Sequence, residues 1–274
     1  MFRLEIARAA FTDCFRSPRL RLIQFFANLL LFALLVAWLF IPVASDLHLI
    51  LNFFVALLLL IATLTLHAGT LNSFIDQQST QAPPLWPAFR RALNHIIPVA
   101  ICIMVFCLLW LSIDRLETYQ SSFPAYVRST FPVSLRRHTT LPALDNLFSV
   151  VIFILRWILA PGLVLPLLAQ AADRGFRGFG KQGLIASRKT LFSLNYWLVL
   201  TLAALLGVSA TEKLMGARPN FKSSTTNSEA ISLAWRLTVS YLLGLFSWMF
   251  ACSVVGRCAA TAGTSQDISG NPVA

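Results

Sequence analysis

Six apolar runs, each about 20 residues long, limit what this chain can fold into. They cover about 22–43, 48–68, 94–113, 148–170, 192–210 and 232–255. A helix of about 20 apolar residues crosses a hydrocarbon core of about 30 Å. Inside such a core every backbone N–H and C=O needs a partner from the protein itself, so a span is a helix or belongs to a closed barrel. Barrel strands alternate apolar and polar residues, and these runs do not. Only 12% of the residues are charged and 57% are hydrophobic, against about 25% charged in soluble domains. A soluble chain of this length could not hide so much apolar surface. The expected fold is therefore all-α, a polytopic transmembrane helical bundle. Residues 1–261 form a single integral membrane domain, and 262–274 form a disordered cytoplasmic tail.

The distribution of Lys and Arg sets the expected orientation. Arg3, Arg8, Arg16, Arg19, Arg21, Arg90, Arg91, Arg174, Arg177, Lys181, Arg188, Lys189 and Arg257 fall on one side of the six spans. Arg115, Arg128, Arg136, Arg137, Lys213, Arg218 and Lys222 fall on the other. The positive-inside bias then places both termini in the cytoplasm and the chain in a cytoplasmic (inner) membrane. The preponderance of Arg over Lys fits a bacterial source. A net charge of +11 can mark a nucleic-acid binder. In a membrane chain it holds loops against anionic headgroups, so the expected partners are membrane lipids and not nucleic acid. The start, "MFRLEIARAAFTDCFRSPRLRL", is too long and mixed for the n-region of a signal peptide and is expected to be retained. The five cysteines form no extracellular disulfide set and no CxxC pair, so neither a disulfide framework nor a zinc site is expected.

Before the first, third and fifth spans stand "ARAAFTDCFRSPRL", "PAFRRALNHIIP" and "GLIASRKTLFSLNYW". The last two share Ala-x-Arg-[Arg/Lys]-x-Leu, at Ala88, Arg90, Arg91, Leu93 and at Ala186, Arg188, Lys189, Leu191. Two readings stand: three repeats of an amphipathic lead-in plus a transmembrane hairpin, or convergence on the basic anchors that any hairpin needs. In 2–15, Phe2, Ile6, Ala9, Ala10 and Phe11 share one helical face, which suits a helix in the interface. Between spans three and four, Pro124, Pro132 and Pro142 forbid a long helix, and the segment is apolar enough to lie on the bundle or the headgroups. Ala203-x3-Gly207, Ser240-x3-Gly244, Ser247 and Ala251 have the spacing of helix-packing seams.

Few motifs carry chemistry. Gly175-x4-Gly180-Lys181 has P-loop spacing, but Gln182 stands where a hydroxyl would hold Mg²⁺, and a span precedes it instead of a strand. The expected reading is a flexible inner loop. Phe176 and Phe179 would enter the headgroup layer while Arg174, Arg177 and Lys181 meet lipid phosphates. His48, His67, His95 and His138 lack metal-ligand spacing, so no metal and no cofactor is expected. No Asp or Glu falls inside an apolar run, which argues against carboxylate-based proton carriage and an intramembrane aspartyl protease. There is no GxSxG. The chain does not read as an enzyme.

The arginines inside runs remain. Arg156 and Arg236 lie in spans four and six, each beside a tryptophan, Trp157 and Trp235. Asn52 is the polar residue of span two. Arg156 sits about 9–12 Å in at 1.5 Å per residue and can snorkel outward. Its partner would be a lipid phosphate or an acid such as Asp145 or Asp114. In the alternative, Arg156, Arg236, Trp157, Trp235 and Asn52 line an outward-facing pocket for an anion or lipid headgroup. Pro161, Gly162 and Pro166 are expected to kink span four, with Pro161 freeing the Trp157 carbonyl.

The stretch "LPLLAQAADRGFRGFGKQGLIASRKTLF" into "NYW" resembles part of a known pattern. It runs from a span end through a Gly-bearing loop and a Ser-Arg helix to an aromatic span start. That pattern occurs in the membrane domains of uncharacterised bacterial six-span proteins found beside glycerophosphodiester phosphodiesterases. The resemblance covers about 160–200 and implies a membrane module with nothing catalytic. Two functions follow. One is a structural or accessory module that positions a membrane or cytoplasmic protein partner. The other is a carrier for an anionic lipid or amphiphile built on Arg156 and Arg236.

Overall fold

The computed structural model describes residues 4–41, 45–78, 84–120, 122–217 and 226–267. Helix α1 (Leu4–Arg16) leads into the hairpin of α2 (Pro18–Leu39) and α3 (Asp46–Asp76). Helix α4 (Leu85–Asn94) leads into α5 (Ile96–Glu117), the short α6 (Phe123–Thr130) and α7 (Val133–His138), and a long returning run. That run is α8 (Leu141–Ile154), a π-helical turn at Leu155–Leu159, α9 (Ala160–Arg174) and a 3-10 turn at Gly175–Phe179. Helix α10 (Lys181–Leu191) leads into α11 (Leu194–Ala204), a second π turn at Leu205–Ser209 and α12 (Ala210–Gly216). The last helix is α13 (Thr226–Asp267).

Six helical runs are long and apolar enough to cross a membrane, as the sequence leads one to expect. They extend past the apolar runs, because helical hydrogen bonding continues where hydrophobicity stops. Span three reaches Glu117 and so carries Asp114 and Glu117, although no acid lies inside its apolar run. The helical backbone of α13 continues to Asp267, into the stretch expected to be a disordered tail. Residues 268–274, the turn at 42–44 and Phe2 lie outside the described residues. The prolines of the 114–147 segment each begin a helix. Pro124 and Pro142 occupy the first turns of α6 and α8, and Pro132 caps α7. There a missing N–H costs nothing. Phe123 of α6 packs on Phe148 of α8, with ring centroids 5.4 Å apart.

The three lead-in helices share one register of burial. Ala10, Ala88 and Ala186 are buried, and so are Cys14, Ala92 and Thr190 one turn later. Ser17, His95 and Ser193 then cap the span that follows. Leu20, Pro98 and Tyr196 turn inward next, and after them Gln24, Cys102 and Leu200. Each lead-in docks on the second span of the preceding unit: α4 on α3, α10 on α9, and α1 on α13. The bundle therefore closes as a ring, and α1 makes the closing contact.

Polar bonds hold these joints, because apolar burial drives helix pairing weakly in lipid. Asn72 donates to the carbonyls of Ala88 (3.2 Å) and Ala172 (3.1 Å), tying α3 to α4 and α9. The Ala172 carbonyl, in the last turn of α9 where the helix supplies no donor, also accepts from His95 Nδ1 at 2.9 Å. Arg91 bridges Asp76 (2.5 Å) and Asp173 (3.1 Å), and the bond to Asp76 raises its pKa further. At the closure, Arg257 Nε meets Asp13 at 2.6 Å, and Ser253 donates to the Ala10 carbonyl at 3.1 Å. Small residues allow the close approach. A Cβ on Gly207 would stand 2.8 Å from Ser247, so the Ala203-x3-Gly207 seam is used. A Cβ on Gly244 would meet nothing within 4 Å, so Gly244 makes no such close approach within the described chain.

Burial, and after it the Asp13 carboxylate, pushes the Cys14 thiol up to about 12. Thiolate is the nucleophilic form. Cys14 is therefore expected to stay unmodified by N-ethylmaleimide at pH 8 in the folded protein and to react once α1 is unfolded, as read by mass spectrometry. Rapid labelling of Cys14 at pH 8 without unfolding would contradict the docking of α1.

Candidate functional site

Arg156 sits on the first π turn and reaches across to α5. Its Nη2 donates to Glu117 Oε2 at 2.6 Å and to Asp114 Oδ1 at 3.2 Å. Its guanidinium lies 5.1 Å from the ring of Trp110, which meets Trp157 edge-on at 4.9 Å. Trp110, Asp114 and Glu117 stand one helical turn apart on one stripe of α5, the spacing at which helical side chains share a face. The guanidinium thus combines charge-assisted bonds to the acids with a cation–π contact to the indole. Its side chain is 15% exposed, which favours a partner supplied by the protein over a lipid phosphate.

Both π turns border one cleft of about 750 Å³, lined by Glu117, Ser149, Arg156, Trp157, Ser209 and Glu212 among others. π turns recur at functional positions in helices. The first follows from Pro161, which has no N–H to give the Trp157 carbonyl. The chain widens by one residue there, and the Ala160 N–H bonds the Leu155 carbonyl. At Pro161–Gly162, where a kink is expected, the winding changes within a helical run that continues from Leu141 to Phe179. Pro166 lies buried within α9. Gly162 serves close approach: a Cβ there would strike the Trp197 ring, and Tyr196 donates to the Gly162 carbonyl at 2.7 Å.

The structure does not bring the sequence-derived residues into one site. Arg236 closes the end of α12, donating to the carbonyls of Met215 (3.1 Å) and Ala217 (2.7 Å). Among the described residues Arg156 and Arg236 have no partner in common. Trp235 is 67% exposed. The Asn52 backbone carbonyl accepts from Trp38 at 3.2 Å, within the first hairpin. Of the five, only Arg156 and Trp157 line the cleft. Trp110, Glu117 and Glu212 were missed in the sequence, although the Trp-x3-Asp-x2-Glu spacing of 110–117 could have disclosed the stripe. The surroundings of Arg156 hold Asp114, Glu117 and Glu212 against one guanidinium. That balance disfavours an anion.

On the opposite end of the bundle, the Gly-bearing stretch is an ordered turn instead of a flexible loop. Gly175 adopts φ +62°, a conformation that favours glycine. A Cβ on Gly178 would collide with the Gln170 carbonyl, and one on Gly183 with the Gly178 carbonyl. Phe176 is exposed, whereas Phe179 is partly buried and packs against the core. Arg177 and Lys181 are exposed, and Arg174 lies 3.7 Å from Asp173.

Among the described residues no group of three or more His, Cys, Asp or Glu side chains is placed to hold a metal. Six spanning helical runs joined by polar bonds at their ends define a multi-pass membrane protein. No family model, curated protein or solved structure matches the chain.

Proposed function

We propose that the chain is a structural or accessory module of a cytoplasmic (inner) membrane, without catalytic activity of its own. Its termini and its three lead-in helices lie on the cytoplasmic surface, where the exposed Arg8, Arg16, Arg90 and Arg188 of α1, α4 and α10 meet anionic headgroups. There it positions a membrane or cytoplasmic protein partner. The observation that carries this reading is the use of Arg156. The charge that most resembled a ligand site is spent on Asp114, Glu117 and Trp110, fastening the fourth span to the third. The resemblance of 160–200 to six-span membrane domains found beside phosphodiesterases supports the same kind of module.

Arg156→Leu and Arg156→Lys test it. The leucine variant loses two charge-assisted bonds to half-exposed carboxylates, and its expected cost is about 2 kcal/mol after discounting for solvent. The lysine variant should recover part of that loss. The measurement is thermal unfolding in detergent beside binding of anionic lipid. A leucine variant as stable as the parent that has lost lipid binding would overturn the proposal in favour of a carrier.

A further inference from the structure

We infer that the cleft between the α4–α5 junction and the 3-10 turn binds the phosphate headgroup of an anionic phospholipid. The cleft holds about 770 Å³ and gathers donors from several elements. Asn94 comes from the junction, Arg174 from the end of α9, Arg177 from the 3-10 turn, and Gln182 from α10; His95 lines the wall, its Nδ1 already given to the Ala172 carbonyl. Asp173 is the acid on its wall, and it is already engaged. Arg91 takes its Oδ1 at 3.1 Å, and Arg174 approaches Oδ2 with Nε alone at 3.7 Å. The terminal nitrogens of Arg174 remain for a ligand. Arg177 has no ion partner among the described residues, so the cleft carries surplus positive charge. Guanidinium nitrogens beside amide donors are the recognition chemistry of a phosphate oxyanion.

The rim tells which phosphate. Ile97 and Phe176 line the same cleft, and they are 62% and 61% exposed. Ile97 stands in the first turn of α5, and Phe176 in the 3-10 turn just past α9. The donors therefore sit at headgroup depth, with apolar side chains beside them for the first methylenes of the acyl chains. A free phosphate has no use for that rim. The inference rests on the membrane reading above and needs no protein partner.

The test is a titration of the detergent-solubilised full chain with phosphatidylglycerol and with phosphatidylcholine, read by native mass spectrometry. Phosphatidylglycerol is expected to bind preferentially. Arg174→Gln with Arg177→Gln should weaken it about tenfold or more, the scale of lost charge-assisted bonds, and leave phosphatidylcholine unchanged. Arg19→Gln with Arg188→Gln removes the same charge from the same end of the bundle outside the cleft and should leave the preference intact. Arg177→Gln alone removes no bond within the described fold, so it serves if the double variant does not fold. It should still weaken phosphatidylglycerol several-fold. Unchanged phosphatidylglycerol binding in a folded cleft variant overturns the inference. So does full displacement of the lipid by millimolar inorganic phosphate, which would reassign the site to free phosphate. Failure here leaves the Arg156 result untouched, so the two readings fall separately.

Discussion

Replacing Arg257 by leucine is expected to open the ring of helices and to cost about 3 kcal/mol or more, the range for stranding one member of a buried ion pair. The stranded group is Asp13, whose side chain is 3% exposed. The same Asp13 oxygen that receives Arg257 at 2.6 Å receives Gln78 at 3.1 Å. Without the guanidinium, the Gln78 amide is the one side-chain donor left to that carboxylate among the described residues. Arg257 also holds the Ala9 carbonyl at 3.2 Å, so α1 loses a backbone clamp as well. Removing both charges, with Asp13→Asn and Arg257→Gln, should cost less than either single change, because no buried charge is then left alone. The exchange Asp13→Arg with Arg257→Asp should recover part of the loss. Thermal unfolding in detergent, together with maleimide labelling of Cys14, reads both closure and stability. An Arg257→Leu variant with the parent's midpoint and an unlabelled Cys14 would show that α1 docks by packing alone.

That joint also explains how far the sequence could be read. The spans follow from apolar runs, and the helix starts in 114–147 follow from prolines, because both signals are local. The lead-in at Ala186 was visible from its match to Ala88. The lead-in at Ala10 matched less well because its charge is inverted. Asp13 stands on α1 and Arg257 on α13, whereas Arg91 stands on α4 and its acids Asp76 and Asp173 on the spans. A pattern built on basic anchors passes over an acidic one. The partners also lie 244 residues apart, and no periodicity reports such a pairing. Arg156 was identified and its partner Asp114 named, but Glu117 was missed. Hydropathy marks where the apolar run stops and not where the helix stops. Arg236 was joined to Arg156 because both adjoin a tryptophan in an even-numbered span. Chain position does not say which way a helix turns, and Arg236 turns to the end of α12.

Gly183→Ala separates the ordered turn from the flexible loop that glycine content suggests, because the two pictures differ in sign. In a free helix, alanine is favoured over glycine by about 1 kcal/mol, and Gly183 lies in the first turn of α10. Were the preceding stretch loose, the substitution would stabilise. In the structure a Cβ at Gly183 collides with the backbone carbonyl of Gly178. Gly178 in turn lies so close to the Gln170 carbonyl that a Cβ there would collide as well. No flexible side-chain end is available to move aside, so α10 must shift away from α9. Overpacking that only backbone movement can relieve costs about 3 kcal/mol at the upper end of its usual range. Gly244→Ala is the matched comparison, since a Cβ there meets nothing within 4 Å. It should be neutral or slightly stabilising in the same thermal measurement. The shift of α10 would also carry Gln182 away from Arg174, so anionic lipid binding should fall together with stability. A Gly183→Ala protein more stable than the parent would mean that α10 is free of the turn, and the docking of the third lead-in on the second unit would have to be abandoned.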